Sequence, residues 1–181
     1  RICLVGSEMC IRDRISSALS ASSPGEIIRI VGNGGADNDI LTTDDNRPFL
    51  VGLNDAFVAL EDGSKFEVPQ DVVVQFDAGT IVKLDSTVID AGSSAVGIDR
   101  SGGAIQVLGT PGNEAQFTSS KDDSLGGDSN GSGTPAQAED WGGLVFRSDS
   151  DFQDPTAAFD DPGIFLNLSL IHISEPTRQI R

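Results

Sequence analysis

From residue 25 onward, short runs of β-branched and aromatic residues are broken at close intervals by Gly, Asp and Asn, which predicts strands and turns. Residues 26–31 (EIIRIV) read as a strand, stopped by Gly32-Asn33-Gly34-Gly35. Residues 49–52 and 56–60 each read as a further strand, with a polar loop at 36–46 before them and a turn at 61–64 after them. The most regular stretch follows, with predicted strands at 72–76, 80–84, 87–90, 95–98, 104–108, 115–118 and 143–147. No stretch carries a convincing helical apolar period, and glycine is too frequent for long helices. Residues 15–24, rich in Ser and Ala, read as loop or linker.

Strands of three to five residues are too short for a large open sheet, and the gaps between them are too short for crossover helices. An all-β chain of this texture suits a coiled solenoid, in which each turn of chain stacks on the one before. An antiparallel β-sandwich is the alternative that the pattern leaves open.

The two ends change the composition that can be used. Residues 168–178 (LSLIHISEPTR) back-translate into a string resembling the transposase adapter of short-read sequencing libraries. The reverse complement of that string, with one flanking base at each end, spells CLVGSEMCIRDR, the sequence of residues 3–14. Residues 1–14 and 168–181 are therefore expected to be adapter-derived and are set apart from fold reasoning, and the chain between them is expected to be an incomplete fragment. Cys3, Cys10, Met9 and His172, the only Cys, Met and His residues, all lie in these ends. The remainder offers no thiolate or imidazole, which removes Cys/His zinc sites, Ser-His-Asp triads and disulfides from consideration.

Of 12 basic and 28 acidic residues, the ends hold Arg1, Arg12, Arg14, Arg178 and Arg181 against Glu8, Asp13 and Glu175, so residues 15–167 keep seven basic and 25 acidic side chains, a net charge of −18. A surface so acidic repels nucleic acid and anionic membrane. There is no apolar run of membrane-spanning length. Twenty of the 25 acids are Asp, which fits either a solubilising surface or calcium-binding loops.

The best candidate for chemistry is the Asp/Gly-rich stretch at 122–133, with Asp122, Asp123, Asp128 and Asn130 as candidate Ca²⁺ ligands. Carboxylate and amide oxygens on a flexible loop suit an ion that takes six to eight oxygens in loose geometry. The spacing is not that of an EF-hand, and a solvated insertion is the competing reading. Asp37, Asp39, Asp44 and Asp45 pose the same choice. Gly32-x-Gly34 and Gly102-Gly103 do not precede a helix and lack GK[ST], so nucleotide binding is rejected. Asn130-Gly131-Ser132 matches a glycosylation sequon by pattern alone. Trp141, the only Trp, is read as a packing residue at a corner of the fold in preference to a sugar platform.

Residues 79–84 (GTIVKL), 103–111 (GAIQVLGTP), 115–123 (AQFTSSKDD) and 140–146 (DWGGLVF), with the RIVGNGG opening at 29–35, resemble successive rungs of a right-handed parallel β-helix of pectin-lyase-like type. The combination is similar to segments of very large secreted bacterial proteins of planctomycete type and covers about residues 25–147. The resemblance implies an N-terminal β region or cap at 25–70 and β-helix coils at 71–167, with an insertion at 121–140. It also implies an extracellular or cell-surface location, and the expected role is non-catalytic, structural, adhesive or glycan-binding with stabilisation by Ca²⁺, with extracellular glycan or other surface proteins as partners. A calcium-dependent polysaccharide lyase or glycoside hydrolase, with active residues partly outside this fragment, is the alternative. Lyase chemistry wants a metal and a base, and hydrolase chemistry wants clustered carboxylates. The basic residues Arg29, Arg47, Lys65, Lys83, Arg100, Lys121 and Arg147 occur singly, and the sequence does not bring Asp77, Asp85, Asp90 and Asp99 to one face.

Overall fold

Strands whose side chains alternate between two faces need a partner on each edge and a core on one side. The computed structural model describes residues 2–5, 10–11, 14–32, 46–94, 98–131, 134–147, 149–150 and 171–173, and among them it forms twelve short strands and one helix. In chain order these are β1 (Ile2–Val5), β2 (Cys10–Ile11), α1 (Ile15–Ala21), β3 (Ile27–Ile30), β4 (Phe49–Gly52), β5 (Phe66–Glu67), β6 (Val73–Asp77), β7 (Ile81–Asp85), β8 (Ile89–Ala91), β9 (Ala104–Leu108), β10 (Ala115–Ser119), β11 (Leu144–Phe146) and β12 (Ile171–Ile173).

The central nine strands pair in parallel, in three sheets. β3, β6 and β9 form one, with Ile28, Val74 and Ile105 in register; β4, β7 and β10 form the second, with Phe49, Val82 and Phe117 in register; β5, β8 and β11 form the third, with Phe66, Ile89 and Leu144 in register. The chain thus visits the sheets in turn, three times over, giving three tiers. This parallel arrangement is compatible with a parallel β-helix-like fold and differs from the antiparallel pairing of a sandwich. Equivalent inward positions stack: Ile28, Val74 and Ile105, then Ile30, Phe76 and Val107, are all buried in one core. Trp141 is buried in the same core, in keeping with a packing role.

Tiers approach closely enough to dictate glycine, most plainly at residue 52. Gly52 ends β4 at φ 126°, and a Cβ there would lie 1.8 Å from the Asp85 carbonyl oxygen of the next tier. Both the backbone conformation and the contact require glycine.

Several expectations change. The segment read as linker contains α1, whose Ile15, Ala18 and Leu19 are buried at helical spacing. The helix has no side-chain cap of its own; Asp62 serves instead, its backbone carbonyl accepting from Ser16 N (2.9 Å) and its Oδ1 from Ile15 N (3.3 Å). Residues 25–70, expected as an N-terminal β region or cap, are β-structured, and their strands pair one for one with β6, β7 and β8. Residues 56–60 are not a strand. Asn54 Oδ1 accepts the amides of Ala56 and Val58 (3.0 Å each), which folds the chain into a tight loop with Phe57 at φ 59° and 83% exposed. The third-sheet strand of the first tier is β5 instead. Of the strand expected at 95–98, residues 95–97 lie outside the described residues, and Ile98 is in no strand.

The ends set apart as adapter-derived contribute backbone at sheet edges. β1 pairs antiparallel with β2 and with β3, and β12 pairs parallel with β10. An uncovered edge presents unpaired N–H and C=O groups that any nearby extended segment can satisfy.

Candidate functional site: the insertion over the second sheet

β7 is buried on both faces. Val82 and Leu84 point into the core, so alternation turns Ile81, Lys83 and Asp85 the other way, yet these three are buried as well. Over Lys83 and Asp85 the cover is the chain between β10 and β11, which carries the Asp/Gly-rich stretch. Lys83 Nζ donates to the Gly127 carbonyl (2.5 Å) and to Ser129 Oγ (3.0 Å). Asp85 Oδ2 accepts from Ser120 Oγ (2.8 Å), and Ser129 Oγ in turn donates to the Ser120 carbonyl (2.6 Å). The loop is therefore pinned to the strand beneath it at two adjacent outward positions.

The four predicted calcium ligands fall in this loop with separate partners. Asp122 accepts from Thr118 Oγ1 (2.6 Å), from the Ser124 amide (3.0 Å) and from Ser124 Oγ (2.5 Å). Asp128 Oδ1 accepts the amides of Asn130 (3.0 Å) and Gly131 (2.7 Å), and Asn130 Nδ2 donates to the Thr134 carbonyl (3.2 Å). Asp123 is exposed. Among the described residues no group of three or more His, Cys, Asp or Glu is placed to hold a metal ion. Asp122, Asp123 and Asp128 do share one neighbour, the charge of Lys83. Burial lowers the Lys83 ammonium below the usual 10.5, and those three carboxylates pull it back up. For Asp122, burial pushes upward, but hydrogen bonds from Ser124 and Thr118 and the Lys83 charge outweigh it and hold the carboxyl below 3.8. Asp37, Asp39, Asp44 and Asp45 lie outside the described residues.

The far end of the insertion is tied down by Asp140. Its Oδ2 accepts from Ser119 Oγ (2.7 Å) and from the Gln137 amide (2.7 Å), and its carbonyl accepts from Ser86 N (2.7 Å). Lys121 bridges Asp140 (3.5 Å) and Asp55 (3.0 Å).

A second charged cluster lies on the third sheet. Glu67 and Asp90 are register partners on β5 and β8. Arg147 donates to both oxygens of Asp90 (2.8 Å each), and Arg100 adds a third bond to it (2.7 Å) while also reaching Glu67 (3.2 Å) and the Gly92 carbonyl (2.9 Å). The Asp90 hydrogen bonds, foremost, push the Arg147 guanidinium above its ordinary value.

The carboxylates considered for hydrolysis do not converge. Asp77 pairs with Arg29 (2.5 Å), Asp85 with Ser120, Asp90 with the two arginines, and Asp99 with Ser101 and Gln70. A cleft of about 210 Å³ between α1 and residues 64–67, lined by Ser16, Leu19, Ser20, Ser64, Lys65 and Glu67, is smaller than the roughly 300 Å³ at which small-molecule pockets begin. Among the described residues no helix is long and apolar enough to cross a membrane.

The sequence marked the acidic loop and missed its basic partner. Lys83 sits at an outward position of an alternating strand, which reads as solvent-exposed; only the tier register, with Lys83 opposite Thr118 of β10, puts it under the insertion. No protein-family model, curated protein or solved structure matches the chain.

Proposed function

We propose that the chain is a non-catalytic right-handed parallel β-helix segment of a large extracellular or cell-surface bacterial protein, serving as a structural, adhesive or glycan-binding spacer. The observation that carries this reading is how the buried and half-buried charges are used. Arg100 and Arg147 converge on Asp90 across two tiers, and Lys83 holds the insertion on β7. A lyase needs a base free to take a proton, and a hydrolase needs two carboxylates facing one bond. Here the buried basic groups are engaged in ion pairs or loop contacts, and the carboxylates are dispersed. The resemblance of residues 25–147 to β-helix rungs supports the extracellular setting, and fold alone assigns no activity.

The test is incubation of the chain with polygalacturonate and with alginate, with and without calcium chloride, followed by ultraviolet absorbance for unsaturated uronates and a reducing-end assay for hydrolysis. We expect neither product to rise above a heat-denatured control. Sustained turnover in either assay would replace this reading with that of a polysaccharide lyase or hydrolase.

A further inference from the structure

We infer that the Lys83 ammonium is the resident cation of the Asp/Gly-rich insertion, so that the loop at 120–131 is ordered by the protein's own charge and needs no metal ion. The inference stands on geometry independent of the proposed function. An acidic loop that folds back on itself needs a positive charge near its carboxylates, because unscreened like charges at short range oppose closure. A calcium ion would supply that charge from solution, coordinated by loop carbonyls, hydroxyls and carboxylates.

Lys83 supplies it from below. Its side chain leaves β7 on the outward face and is completely buried by the loop. Nζ donates to one loop carbonyl, that of Gly127, and to one loop hydroxyl, that of Ser129, the two kinds of neutral oxygen that calcium also takes. The charges of Asp122, Asp123 and Asp128 in the same loop act on it and favour its charged form. The backbone is shaped for this contact: Gly126, Gly127 and Gly131 all have positive φ (61°, 76° and 61°) and turn the loop so that the Gly127 carbonyl meets the ammonium. The nearby Lys121 is committed elsewhere, to Asp55 and Asp140. Calcium and Lys83 are thus alternative cations for one loop, and a lysine tethered to the adjacent strand has the higher effective concentration.

Limited proteolysis mapped to residues 120–131 by mass spectrometry reads the order of the loop directly. For the unaltered chain we expect the same cleavage rate in EDTA and in millimolar calcium chloride. Faster cleavage in EDTA would make a metal ion the resident cation and overturn the inference, and this arm depends on no variant. Lys83→Met keeps an unbranched side chain one atom shorter and removes its charge; Lys83→Gln instead keeps a donor and guards against misfolding of the first variant. In EDTA both are expected to be cleaved within the loop at least about tenfold faster than the unaltered chain, as loss of a charge-assisted contact predicts. Calcium chloride is expected to slow that cleavage in the variants alone, since the vacated position offers oxygens to a metal. Variant loops as resistant in EDTA as the unaltered loop would overturn the inference.

Discussion

At the scale of single residues, Asp90 is the side chain on which most depends. Its side chain and that of Arg100 are 6% and 5% exposed, and three guanidinium hydrogen bonds converge on its carboxylate. A buried pair of this kind contributes little net stability compared with apolar residues, but removing one partner leaves the other charge buried and alone, at a cost of about 3–5 kcal/mol. Asp90→Ala is therefore expected to lower the urea midpoint by that equivalent with an unchanged slope; a loss below about 1 kcal/mol would show that Glu67 and solvent satisfy Arg100 without it. The residue types of this cluster are plain in the sequence, but their association is not. Asp90, Arg100 and Arg147 stand apart along the chain, and pairwise chemistry across tiers is fixed by register, which isolated strand patterns do not specify. The same holds for Lys83, whose sign and size are visible while its burial depends on a loop some forty positions later.

At the scale of elements, Asp62 couples α1 to the first tier. Its carboxylate accepts from Ile15 N at the start of α1 and from Leu50 N on β4 (2.7 Å). Burial is the largest influence and raises the carboxyl above 3.8, against the lowering effect of those two amides. A group with a raised folded value is protonated more readily in the folded chain than in the unfolded one. Its contribution is fully present below 3.8 and is lost as pH rises through the folded value. Asp62→Asn cannot titrate, so the unfolding free energy of the parent minus that of the variant should be largest below pH 3.8 and shrink as pH increases. A difference that grows with pH would contradict the assigned direction. Strands were the readable elements because period-two alternation with β-branched residues persists for five positions in β6, β7 and β9. Two kinds of element escaped. Helix α1 is only seven residues, too short to be stable on its own sequence, and exists because Ile15, Ala18 and Leu19 find the core and Asp62 finds its amides. Residues 56–60 carry strand-like side chains, but the Asn54 side chain captures their amides in a turn before a sheet can.

At the scale of the whole molecule, three tiers are locked together by an aromatic column. Phe66 of the first tier lies 5.7 Å from Phe76 of the second, and Phe76 meets Phe117 of the third edge-on at 4.9 Å and 78°. Each ring comes from a different sheet, so Phe76 touches both neighbouring tiers and joins all three sheets at once. In a fold built of stacked units, cooperativity rests on such contacts between neighbours, because each tier alone buries too little to be stable. Deleting a fully buried Phe costs about 3–5 kcal/mol from lost burial and the cavity left behind. Phe76→Ala is accordingly expected to lose that much, and its position in the middle tier should make the loss global: a single transition by far-ultraviolet circular dichroism and Trp141 fluorescence, shifted to lower urea. Phe57, on its exposed loop, is the internal control, and Phe57→Ala should change stability by less than about 0.5 kcal/mol. Two separate transitions in Phe76→Ala would mean that the tiers unfold independently and that the aromatic column does not couple them.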